Sequence, residues 1–210
     1  MKRSIAYALC AALLFGASTP AAKQLAGDLP AFLLAGLLYA GSGLGLGAWL
    51  ALRRLRGPLP ALLLQGADLP WLAGAVLSGG VAGPVLLMLG LALTPAATTS
   101  LLLNLEGAFT ALIAWFAFRE NFDRRIALGL ALILAGGALL AYVPGGDYGT
   151  GAGALFVAGA CLAWAIDNNL TRRISGSDAV ALAAIKGLCA APVSLAIAFA
   201  AGAAAPSAAQ

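Results

Sequence analysis

Between Leu69 and Leu105 the chain runs for 37 residues without one charged side chain. As a single helix that stretch would be about 55 Å long, against a bilayer hydrocarbon core of about 30 Å. It therefore has to turn back once, and Thr94-Pro95 is the natural place, because the residue before a proline disfavours the helical region. Shorter uncharged runs, 19 residues between Arg3 and Lys23 and 24 between Asp28 and Arg53, each suffice for one crossing. The same reading along the rest of the chain predicts seven transmembrane helices, near 4–22, 31–52, 70–93, 96–118, 125–143, 151–170 and 179–201. Gly57–Gly66, short and with two prolines, reads as an interfacial loop. The expected fold class is an all-α integral membrane protein.

Composition agrees. Apolar residues make up 62% of the chain, charged residues only 10%, and the mean hydropathy is +0.96; an average soluble domain is about 25% charged. There is no histidine, which excludes Ser-His and Cys-His catalysis and histidine-ligated metal or haem. The three cysteines, Cys10, Cys161 and Cys189, sit far apart in apolar runs and are expected to be small apolar residues facing lipid. No Walker A pattern is present, so neither nucleotide, metal nor other cofactor is expected. The net charge of +4 does not mark a nucleic-acid binder, since no basic stripe interleaved with aromatics occurs.

The basic residues instead cluster between apolar runs. Ten of the twelve fall on one side of the seven-span arrangement: Lys2 and Arg3, then Arg53, Arg54 and Arg56, then Arg119, Arg124 and Arg125, then Arg172 and Arg173. The opposite loops, Ala26–Pro30, Thr94–Pro95 and Val143–Gly149, carry none. This asymmetry predicts a multi-pass protein of a bacterial-type inner membrane with its N-terminus in the cytoplasm. The first span imitates a signal peptide, but further spans follow and it reads as a retained helix. Lys23 is expected to reach the outer headgroups, with Trp49, Trp71, Trp115 and Trp164 as interfacial anchors.

A shift of 149 positions lays Ala11, Leu13 and Gly27 on Ala160, Leu162 and Gly176, and pairs Tyr7 with Phe156, Phe15 with Trp164 and Lys23 with Arg172. Five helices precede the second copy, so a tandem repeat must enter the membrane from the opposite side, as in secondary transporters. The expected domains are residues 1–143, a first five-helix repeat, residues 151–201, two helices of a second, and a low-complexity tail over 202–210. A complete second repeat would reach about residue 290. The expectation is therefore a C-terminally truncated chain, or one whose missing helices come from self-association or a complementing C-terminal half.

The stretch TTSLLLNLEGAFTALIAWFAFRENFDRR (98–125) resembles the fourth-helix signature of EamA-type transporters of the drug/metabolite transporter superfamily. ALLFGASTPAAKQLAG (12–27), Ala127–Tyr142 and LAWAIDNNLTRRISGSD (162–178) resemble that family's first helix, fifth helix and second-repeat start. Gly107 stands where the family usually has proline after the glutamate. The resemblance implies ten helices in two inverted five-helix repeats and the movement of small metabolites.

Ionisable side chains inside spans are costly, at least ~2.5 kcal/mol at the bilayer centre for most charges, and so mark candidate pathway residues. Glu106 lies about 15 Å below Ala96, near the midplane, and Lys186 about 10 Å inward from Ala179. The two are expected to pair across the fourth and seventh helices or to flank a cavity. Ser100 and Asn104 share one helix face, Glu106 and Thr110 another; one pair faces the cavity and the other a neighbouring helix. Asp167, Asn168 and Asn169 read as a hydrated helix end, with a pathway role for Asp167 and Asn168 as the alternative. The glycines at 41, 43, 45, 47, 79, 80 and 83 read as sites of close helix approach.

Together these features predict a non-enzymatic secondary transporter of small organic solutes, amino-acid-like or drug-like, with alternating access around a midplane cavity. The alternatives are a non-transporting fragment or half of a split transporter, and an intramembrane lipid-modifying enzyme. The absence of histidine and of a nucleophile–base pair weighs against the last.

Overall fold

The structure, a computed structural model, describes residues 2–26, 28–58, 64–121, 123–141 and 149–204. Seven helical segments are labelled α1 Lys2–Leu25, α2 Ala31–Arg54, α3 Gly66–Leu93, α4 Ala96–Phe118, α5 Arg124–Ala141, α6 Gly149–Arg173 and α7 Ala179–Ala200. Six described helices are long and apolar enough to cross a membrane. The fifth predicted span, 125–143, is α5, which adjoins residues outside the description. The tip of the predicted interfacial loop, the loop at 142–148 and the end of the predicted tail also lie outside it.

Local chemistry sets the helix ends. Gln65 and Asp68 form a capping box at the start of α3, with the Gln65 N–H donating to Asp68 Oδ2 at 2.9 Å. Thr94, extended before Pro95, stops α3 where the proline rule requires. Asp123 accepts from the N–H groups of Arg125 and Ile126 to start α5, and Asp178 from those of Val180 and Ala181 to start α7. Arg119 ends α4 in the left-handed region, φ 54°, letting the Glu120 N–H reach the Ala114 carbonyl.

Two spans are irregular inside. Leu103–Asn104 interrupts α4, where the Asn104 and Glu106 N–H groups bond three residues back and the Asn104 side chain donates to the Leu101 carbonyl at 2.9 Å. In α3 a π-helical turn covers Val76–Ala82.

α2 lies most extensively along α7, and α6 is the central helix, flanked by α3 and α4. The α2–α7 approach depends on two facing glycines. A Cβ on Gly43 would stand 2.6 Å from the Leu188 nitrogen, and one on Gly187 would stand 2.7 Å from the Gly43 Cα. Gly41 and Gly45 face open space, so they take no part in this approach. The principal core gathers Leu34 and Ala35, Met88 and Leu91, Leu102 and Leu103, and Val157 and Cys161. Leu13, Leu14 and Leu132 point outward, as a lipid-facing surface requires.

Three expectations change here. Cys161 does not face lipid: it is fully buried between α6 and α4, its Sγ 3.6 Å from the Leu102 carbonyl. Lys23 donates to the Leu91 and Ala92 carbonyls, the open C-terminal groups of α3, rather than reaching the headgroups. Trp164 lies within the bundle, and a Cβ on Gly83 would touch its indole.

Candidate functional site

The polar residues of the membrane interior converge on α6. This helix runs to Arg173, three residues beyond the expected end, and this places Asp167 about 9 Å inside its terminus. Lys186 lies about 10 Å inside the N-terminal end of the antiparallel α7, so the two charges stand at one level. Lys186 Nζ donates to both Asp167 oxygens at 2.5 Å, with the side chains only 17% and 8% exposed. Thr171, one turn further along α6, donates to Asp167 Oδ1 at 2.8 Å. A buried pair of this kind persists because removing either partner strands the other charge in a medium that cannot solvate it.

The wall behind Asp167 is the π turn of α3. The Gly83 N–H bonds back five residues to the Ser78 carbonyl, and the next such bond would need an N–H on Pro84. Proline has none. The Gly79 carbonyl thus left over accepts from Tyr39 Oη at 2.7 Å and from Trp164 Nε1 at 3.0 Å, tying α2, α3 and α6 together. Gly79 also has to lack a side chain, because a Cβ there would collide with the Asp167 carboxylate.

Successive helical residues point about 100° apart, so the neighbours of Asp167 serve α4. Asn168 Nδ2 donates to Glu106 Oε1 at 2.8 Å and lies 3.3 Å from Thr110 Oγ1. Asn169 Nδ2 donates to the Thr110 carbonyl at 3.1 Å and to the Ala165 carbonyl at 2.8 Å.

The structure therefore brings Glu106, Thr110 and Asn168 together on one side of α6, and Asp167 and Lys186 on the other. Of the two expected arrangements of Glu106 and Lys186, the direct pairing is replaced by these two separate contacts. Asp167 and Asn169 are buried, at 6% and 4% exposure, and are no hydrated helix end; Asn168 is exposed. Asn104 is exposed and turned onto its own helix, and Ser100, half-buried, has no hydrogen bond to the cluster among the described residues.

Tyr39 and Thr171 are contributors that sequence reasoning missed, while Gly79 was read only as a site of close approach and Trp164 only as an interfacial anchor. Pro84, five residues after Gly79, was the available signal. A cavity of about 190 Å³, lined by Thr171, Ser175, Ser177, Leu182 and Lys186, connects the α6–α7 turn with the ion pair.

Known proteins agree with this architecture. A solved crystal structure is similar over 90% of this chain and 64% of its own length, with a TM-score of 0.61 at 22% identity, a likeness of fold. An uncharacterized transporter of Methanothermobacter thermautotrophicus is 32% identical over 126 residues, 57% of this chain. The chain covers 36% of that relative's length. Residues 2–142 match the EamA-like transporter family, and the chain belongs to that family.

Proposed function

We propose that this chain carries small organic solutes across a bacterial-type inner membrane as a secondary transporter, by alternating access around the polar residues of α6. The observation that carries the reading is the Glu106–Asn168 contact. It joins α4, in the proposed first repeat (1–143), to α6, in the proposed second (151–201). Midplane polar groups at a repeat interface are where secondary transporters hold solute and coupling ion. Lys186, which lines the cavity beside the α6–α7 turn, and its partner Asp167 supply charge on the neighbouring face. Protons are the proposed coupling ion, with Glu106 as the carboxylate that binds and releases them.

Reconstituted vesicles test both parts. The 210-residue chain and a version extended to ten helices are each offered pooled amino acids and metabolites under an imposed pH gradient. Accumulation that follows the gradient, and loses its pH dependence in Glu106→Gln, is the expected result. Gradient-independent accumulation unchanged by Glu106→Gln removes the proton role, and no accumulation by either version removes transport. Accumulation by the longer version alone assigns the activity to the ten-helix assembly.

A further inference from the structure

At the end of the bundle where α3 begins and α4 and α6 finish, a cavity of about 390 Å³ is lined by Phe118, Glu120, Asn169, Arg172 and Arg173. It shares only Asn169 with the interior cluster. Arg173, the last residue of α6, has its guanidinium 5.4 Å from the ring centroid of Trp71 and 5.2 Å from that of Phe118. Aromatic rings beside a guanidinium hold its plane while its N–H donors, which lie in that plane, remain available. Arg172 is paired with Glu120, and among the described residues no carboxylate pairs with Arg173. Two guanidiniums and one carboxylate leave the cavity with one net positive charge. Its floor is fixed in advance, because Asn169 is bonded to the Thr110 and Ala165 carbonyls.

We infer that this cavity binds a phosphodiester group, with the headgroup of an anionic phospholipid as its source. The charge fits, since the phosphodiester of an anionic headgroup keeps its one net negative charge, with no ammonium beside it to offset it, and the cavity has one positive. The level fits as well: Arg173 ends a membrane span, where lipid phosphates are concentrated. Basic pockets between helices at the membrane surface take lipid headgroups for this reason. The size admits more than a bare oxyanion, lying within the roughly 300–1,000 Å³ of small-molecule sites. Arg173 is the anchor, through charge-assisted bonds of the planar fork to the phosphate oxygens.

Native mass spectrometry of the detergent-purified chain, supplied with equal phosphatidylglycerol and phosphatidylcholine, tests the site. Preferential retention of phosphatidylglycerol is expected. It should weaken about tenfold in Arg173→Gln, the effect of losing one charged hydrogen-bonding partner. It should persist in Arg125→Gln, which removes an equal charge elsewhere at the same end. Equal retention of both lipids, or retention unaltered by Arg173→Gln, overturns the proposal. Should Arg173→Gln fail to fold, Arg173→Lys keeps the charge but not the fork, and undiminished retention in that variant overturns it equally. Competition by water-soluble glycerophosphoglycerol at equal concentration, lost in Arg173→Gln, upholds the phosphodiester site and moves its source from lipid to solute.

Discussion

Asp167 owes its place inside a span to a partner that local sequence does not reveal. Nineteen positions separate it from Lys186, and they meet only because α6 and α7 run antiparallel with both charges at one depth. Either Asp167→Asn or Lys186→Met is expected to cost about 3–5 kcal/mol, since each leaves one buried charge without its counterpart. The double variant Asp167→Asn/Lys186→Met should recover most of that loss, and equilibrium unfolding in mixed micelles measures all three. Losses that simply add in the double variant would mean that the pair is not coupled. Four-residue spacing made the Glu106–Thr110 face legible beforehand, because it is a property of one helix. Whether α4 or α7 would face Asp167 was not legible, because that depends on which helices pack together. Cys161 was misread for the same reason: an apolar run looks alike whether it faces lipid or another helix.

At the level of the helix, chain chemistry announced some interruptions and concealed others. Thr94-Pro95 declares its break through proline sterics. The π turn of α3 has a proline too, but its effect appears five residues earlier, on the Gly79 carbonyl. The interruption of α4 at Leu103–Asn104 has no proline and rests on three-residue backbone bonds with an asparagine side chain over one of them. Gly107, three residues beyond Asn104, makes no close approach to any neighbour. Of the glycines in α2, Gly43 meets backbone most closely, while Gly36 lies against Leu195 and Gly41 and Gly45 face open space. Gly43→Ala should therefore cost about 1–3 kcal/mol through overpacking, while Gly41→Ala and Gly45→Ala stay within about 0.5 kcal/mol. Thermal melting in detergent distinguishes them, and equal losses at all three positions would contradict the Gly43–Gly187 crossing.

Across the whole molecule, the order of the six spans found among the described residues was readable because charge-free length and proline placement fix where a chain can cross a bilayer. Which helix forms the centre was not readable, since α6 is no more apolar than its neighbours. Orientation is a collective property of the loops, and from the clustering of basic residues we propose that the α6–α7 turn faces the cytoplasm. In a background lacking the native cysteines, Asp28→Cys should react with a membrane-impermeant maleimide in intact cells. Ser175→Cys should react only after permeabilisation. The reverse pattern would invert the proposed topology.

The Gly43–Gly187 crossing also has a consequence in time. The two residues are 144 positions apart, and a ribosome adds about 5–20 residues per second. The groove on α2 is thus finished roughly 7–29 seconds before its partner has been made. For that interval the nascent bundle holds a narrow seam that only a helix with a bare backbone patch can fill. Completion of the packing is timed by the emergence of α7, however early α2 was threaded into the bilayer.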